Sequence, residues 1–158
     1  MSAFLLNILL ALAWVALTGR FNAVNFAFGF ALGYGVLWLA QRILGPSSYF
    51  GKARRFLEFV LFFLWEVVKA NLQVAYIVLN PRYPLRPGII AVPLDARSDT
   101  EITLLANLIT LTPGTLSIDV SADRKVLYVH TLDMGDDPGR FRRRIKEGFE
   151  RRLLEVMR

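Results

Sequence analysis

The apolar positions of this chain change period along its length, and the changes mark its elements. From Ala3 to Leu17 every position is apolar except Asn7, and a second apolar run extends from about Phe21 to Leu44, where Gly45 and Pro46 end it. At about 1.5 Å per residue the first run is somewhat short for a hydrocarbon core of roughly 30 Å, whereas the second is long enough to cross with some tilt. Thr18 to Asn22 leaves room only for a tight connection. Residues 1–45 therefore read as a transmembrane helical hairpin, with Gly29 and Gly33 forming a GxxxG pair that lets another helix approach closely. A cleaved signal peptide fits poorly, because no Lys or Arg precedes the first run and Arg20 follows it.

Residues 46–80 hold a basic turn and a long third helix that is amphipathic or membrane-spanning. With Glu58 at zero on a helical wheel, Lys69 falls near about 20°, Arg55 and Gln73 near about 60° and Glu66 near about 80°, so the polar residues form one stripe. The helix either lies in the interface with that stripe toward water, or spans with the stripe buried against other helices. Arg42, Lys52, Arg54 and Arg55 favour the interfacial arrangement, since a basic loop prefers the cytoplasmic side and a cytoplasmic C-terminal domain then requires the helix to return there. Glu58, Glu66 and Lys69 are the candidate ion-path residues, intramembrane charges being frequent in cation and proton routes. The plainer expectation is that Glu66 and Lys69, three residues apart, pair on a polar face.

Residues 81–88, PRYPLRPG, read as an extended linker, and residues 89–158 as a small domain. IIAVP is a short strand; Thr100 to Thr112 is helical, capped by Ser98 or Asp99; TLSIDVS and KVLYVHTL are strands joined through ADRK. Asp136 or Asp137 caps a last helix in which Phe141, Ile145, Phe149 and Leu153 recur every four residues; the Arg142–Arg144 run with Glu147, Glu150 and Glu155 reads as solvated charge or as a contact with anionic lipid or a partner. The predicted fold class is thus an integral membrane α-helical N-terminal part, a helical hairpin plus a long third helix, followed by a small C-terminal α+β (βαββα) domain.

Charge sharpens this division. Residues 1–51 carry only Arg20 and Arg42, residues 52–86 carry six bases against two acids, and residues 87–158 are balanced at eleven of each. The excess positive charge lies beside the apolar half, as an anchor facing an anionic leaflet requires, and not on the folded domain as a nucleic-acid binder requires. With no Cys and one His, thiolate and histidine-rich metal sites are excluded, and no Walker A, GxGxxG or HExxH sequence is present. The chain reads as neither an enzyme nor a holder of a cofactor or metal.

A two-residue turn at Asp123 and Arg124 places Thr115, Ser117, Asp119, Tyr128 and His130 on one face of the hairpin. Leu116, Ile118, Val120, Leu127 and Val129 then share the other. Asp119 could orient His130 on that polar face, although a solvated or partner-facing sheet side explains the same pattern.

The stretch LITLTPGTLSIDV gathers Thr110, Thr112, Thr115 and Ser117 around Pro113 and Gly114, a composition that suits either an ion-coordinating loop or a helix-to-strand corner. With DRKVLYVHTLD, NPRYPLRPGIIAV and DTEITLLANLITL it closely resembles the E subunit of the multisubunit Na+/H+ antiporters of the Mrp or Mnh type. Thr112, Pro113, Gly114, Thr115, Asp119 and His130 belong to that signature, and the resemblance covers essentially the whole chain. It implies an accessory subunit of a multi-pass plasma-membrane complex related to the membrane arm of respiratory complex I, with its C-terminal domain cytoplasmic. Its implied partners are the other antiporter subunits and the lipid bilayer, with Na+ and H+ handled mainly by the large antiporter-like subunits.

Overall fold

The computed structural model describes residues 3–44, 48–80, 82–135 and 137–158, so the Gly45–Pro46 helix stop and the Asp136 cap lie outside the described residues. The chain divides into two units, Met1–Arg54 and Arg55–Arg158.

In the first unit, α1 (Ala3–Thr18) and α2 (Ala23–Leu44) pack against each other. Side chains hold the reversal between them. Gly19 adopts the left-handed conformation at φ 64°, Asn25 Nδ2 donates to Thr18 Oγ1 and Arg20 O, and Trp14 Nε1 donates to Asn25 Oδ1 at 3.0 Å. Gly29 and Gly33 both face α1: a Cβ at Gly29 would lie 2.8 Å from Trp14 Cδ1, and one at Gly33 would run into Asn7 and Leu10. Asn7, the polar interruption in the first run, is fully buried there and donates through Nδ2 to Tyr49 Oη at 3.2 Å. α2 and the third helix, α3 (Ser48–Leu79), are long and apolar enough to cross a membrane; α1 is shorter.

The second unit contains most of α3 and a three-stranded antiparallel sheet in the order β1-β3-β2: β1 (Gly88–Pro93), β2 (Thr115–Val120) and β3 (Val126–Thr131). α4 (Asp99–Leu111) connects β1 to β2, and the chain ends in α5 (Pro138–Arg143), a π-helical stretch Arg144–Glu150 and α6 (Arg151–Met157). Ile90, Val92, Leu127 and Val129 from the sheet meet Leu105 and Ile109 of α4, the terminal helix, and Phe59 of α3 in one core.

The π stretch has a sequence cause. Residues spaced by four drift about 40° per step around an α-helix, so four of them in succession would leave one face. Widening the middle turn to i→i+5 bonding absorbs that drift. Phe141, Ile145, Phe149 and Leu153 are accordingly all buried.

Two expectations are corrected. The first is the hairpin register. Asp119 opposes Tyr128, but a bulge at Ile118 shifts the rest, so that Ser117 opposes Val129, Leu116 opposes His130 and Thr115 opposes Thr131. One extra residue inverts the alternation before it. Thr115 and Ser117 therefore turn toward α4, while Leu116 and Ile118 join Ile89 and Tyr128, exposed on the open face. The second concerns Glu150, expected among solvated charges on the last helix. Its side chain is buried: Oε1 accepts from the N–H groups of Asp95 (2.6 Å) and Ala96 (2.9 Å), and Oε2 lies 3.0 Å from Lys146 Nζ. A hydrophobic wheel cannot show this partner, because it lies 54 residues away in the β1–α4 loop.

Ser98 and Glu101 form a capping box at the start of α4, and Arg158 donates to both Glu101 oxygens at 3.0 and 3.2 Å. The Arg158 guanidinium and the Arg97 and Ser98 N–H groups hold the Glu101 carboxyl at about 2, against an ordinary 4.5. The depressed value means that this contribution is fully present above pH 4.5 and is lost as pH falls toward 2. In thermal unfolding of the full chain, the stability gap between wild type and Glu101→Gln should close across that window. Glu150→Ala should lower stability by about 3 kcal/mol at neutral pH, since two N–H groups and Lys146 lose their common partner. Circular dichroism in detergent measures both.

Candidate functional site

All four hydroxyls of the Thr110–Ser117 corner are used by the fold. α4 ends at Leu111, where Pro113 prevents its continuation, and Gly114 turns the chain at φ 85°. Thr112 Oγ1 donates to Leu108 O at 3.0 Å; the single Thr115 hydroxyl proton is shared between Ile109 O at 2.6 Å and Thr112 O at 2.8 Å. These bonds satisfy the carbonyls that a helix end leaves without intrahelical donors. Thr110 Oγ1 accepts from Ser117 N–H, and Ser117 Oγ donates to Ala106 O, joining β2 to α4. The corner is a hydroxyl-stapled joint.

Asp119 and His130 do not form a pair. The Asp119 carboxylate accepts from the neighbouring Val120 N–H at 2.8 Å, whereas His130 lies in a cross-strand row between Ile89 and Leu116. The polar face expected from a bulge-free hairpin is instead a mixed surface with exposed Ile89, Leu116, Ile118 and Tyr128.

The stripe on α3 is also divided. Glu58 and Tyr76 are exposed, Lys69 is half-exposed, and Glu66 is only 5% exposed and ion-paired with Lys69. Phe59, Glu66, Ala70 and Ile77 are buried, so this flank faces the α+β domain and not water. Phe62 meets Phe149 edge-on at 5.4 Å and lies beneath the Arg152 guanidinium at 4.2 Å. Gly148 allows this approach, since a Cβ there would lie 3.1 Å from Phe62 Cζ. Further along, Ala70, Gln73, Val74 and Ile77 border a cavity of about 40 Å³ whose other walls include Pro113, Gly114 and Thr115.

The spacing 59, 62, 66, 70, 73, 77 is that of a packing seam, and Glu66 and Gln73 within it hide its apolar character in the sequence. The opposite side of α3 is an exposed apolar row: Leu57, Leu61, Leu64, Val68, Leu72 and Leu79.

A family model described as Na+/H+ ion antiporter subunit matches residues 7–156. The chain is 39% identical over 152 residues to the Na+/H+ antiporter E subunit of Alkalihalophilus pseudofirmus, covering 96% of each chain. It is 38% identical over 154 residues to the Na+/H+ antiporter E subunit of Bacillus subtilis, covering 98% of this chain and 97% of that one. Its structure is similar to a chain of the membrane-bound sulfane sulfur reductase, an archaeal respiratory membrane complex, with TM-score 0.58, 28% identity and 99% of both chains covered. It is also similar to a chain of the Mrp complex of a Dietzia species, with TM-score 0.50 and 29% identity over 66% of this chain and 96% of that one.

Thr115→Val removes the donor to two helix-end carbonyls and should lower the unfolding free energy of the full chain by about 1 kcal/mol. Denaturant titration measures it; an unchanged midpoint would show that the joint does not depend on this hydroxyl.

Proposed function

The chain belongs to the family of Na+/H+ antiporter E subunits, and from that membership and the geometry above we propose that it is an accessory subunit of a multisubunit cation/proton antiporter, bracing its partners and not conducting ions itself. The observation that carries this reading is the corner at Thr110–Ser117. Its hydroxyls, the most ion-like feature of the chain, are committed to joining α4 to β2. Glu66, the candidate conduction residue, already has Lys69 as its counter-charge and lies buried on the flank of α3 that faces the domain.

In this reading the α1–α2 hairpin crosses the plasma membrane and docks onto neighbouring hydrophobic subunits, and the α+β domain lies on the cytoplasmic side. α3 lies in the interface. From Phe59 to Ile77 its buried positions extend along about 27 Å of helix, nearly a full hydrocarbon thickness, with the domain on that flank. A helix covered over that length by a charged, partly β-sheet domain cannot be surrounded by lipid. Only its exposed row remains for lipid or a partner subunit. The open sheet face, with Ile89, Leu116, Ile118 and Tyr128, is the second surface available for bracing.

Deleting the chain should abolish Na+-dependent transport by the complex, while the purified subunit alone in liposomes should transport nothing. Glu66→Gln in the assembled complex separates bracing from conduction. Transport per assembled complex should stay within about twofold of wild type, and assembly or thermal stability should carry the loss. Normal assembly with abolished transport would instead assign Glu66 to an ion path.

A further inference from the structure

On α3, Lys69 lies at the border between the domain-packed flank and the exposed apolar row, and exposed Trp65 and Tyr76 stand on the same border. Aromatic and basic residues along one edge of an amphipathic helix mark headgroup level. Behind this edge is an open cleft of about 540 Å³, walled by Lys69 and Gln73 of α3, the loop with Asp133 and Asp137, and Arg140 and Arg144 of the terminal helix.

The charges in that cleft are unevenly used. Lys69 is paired with Glu66. Asp133 accepts from Tyr83 Oη at 2.6 Å and from Gly135 N–H at 3.0 Å; Asp137 accepts from Gly139 N–H and pairs with Arg143 at 3.1 Å. Arg140 and Arg144 are both exposed, and neither guanidinium has a hydrogen bond or ion pair to any described residue. They lie one turn apart, and Arg144 rests over the Phe141 ring at 5.6 Å. Two adjacent guanidinium groups with no acceptor among the described residues, beside a helix whose next surface is apolar, match the phosphate of a lipid whose chains can lie along that surface.

We propose that this cleft binds the headgroup of an anionic phospholipid through Arg140 and Arg144, with Lys69 at its mouth and the acyl chains along the Val68–Leu72 side of α3. The proposal rests on the interfacial reading of α3 for the depth of the apolar row, and the experiment separates the two.

The full chain, delipidated in detergent, is titrated with phosphatidylglycerol or phosphatidylcholine, and retained lipid is counted by native mass spectrometry. Wild type should prefer phosphatidylglycerol. Arg140→Gln with Arg144→Gln should weaken that preference by about 30-fold, each base near an anionic lipid being worth roughly fivefold. The matching pair of Arg→Lys changes should keep most of it, and Arg151→Gln, outside the cleft and paired with Glu155, should keep all of it. Equal retention by wild type and the double Gln variant overturns the site. Displacement by millimolar inorganic phosphate assigns the cleft to a free anion and overturns the lipid. Because the chain has no Cys, a nitroxide placed through Leu72→Cys in phosphatidylcholine vesicles reads the depth of α3 independently. A water-exposed label defeats the interfacial reading, whereas a lipid-buried label with unaltered retention in the double Gln variant defeats the cleft alone.

Discussion

The contact on which the C-terminal unit depends is Phe62 of α3 held between Phe149 and the Arg152 guanidinium, over the space left by Gly148. Full burial of a Phe is worth about 1.5–3 kcal/mol; the partly buried Phe62 gains part of that, together with the edge-on ring contact and the cation above it. Its larger consequence is geometric. It joins one flank of a long apolar helix to an α+β domain, so that the helix from Arg55 onward and the domain form one packed unit. Gly148 and Phe149 both belong to the π stretch, and Phe149 also lies in the core shared with the sheet. The widened turn therefore serves the sheet-facing core and the α3 contact together.

Much of this architecture was legible in the sequence because the signals were local. Ser98 with Glu101 three residues later marks the start of α4, Pro113 and Gly114 mark its end, and Asp137 followed by Pro138 marks the last helix. The hydroxyl corner was visible as a cluster, and its role as a joint follows from which residues surround it. What could not be read was set by partners distant in sequence. The bulge at Ile118 leaves no trace in an alternating TLSIDV, yet it moves Leu116 and Ile118 to the open face and separates Asp119 from His130. Glu150 reads as a surface acid until the β1–α4 loop supplies two N–H donors. The strict four-residue spacing from Phe141 to Leu153 did hold a clue to the π stretch, since an ordinary α-helix cannot keep those positions on one face.

The same distinction explains the third helix. Counting charges around a wheel finds a stripe and assigns it to water, because water is the usual partner of Glu and Lys. Here Glu66 is neutralised by Lys69 within the helix and is then covered by the domain, so the flank that contains the charge is also the one that packs. Phe59, Phe62, Ala70 and Ile77 lie on that flank, and they supply the apolar area that makes the packing favourable. Burying a carboxylate is tolerable when its counter-ion shares the site.

A helix with one flank consumed in this way has a single apolar surface left, and that surface determines how the whole unit can be placed. Leu57, Leu61, Leu64, Val68, Leu72 and Leu79 expose a row of large apolar side chains, the kind of surface that marks a contact with a membrane or another protein. In the proposed interfacial placement the row and the flank set one orientation: apolar side toward the bilayer or a hydrophobic neighbour, domain toward the aqueous phase, and the Lys69 edge between them. Because the domain is packed on the helix through its own core, a tilt or shift of α3 would move the sheet and its open face with it. The proposed bracing role therefore needs no moving part in this chain, only an α3 held at one depth and a domain packed rigidly on its flank.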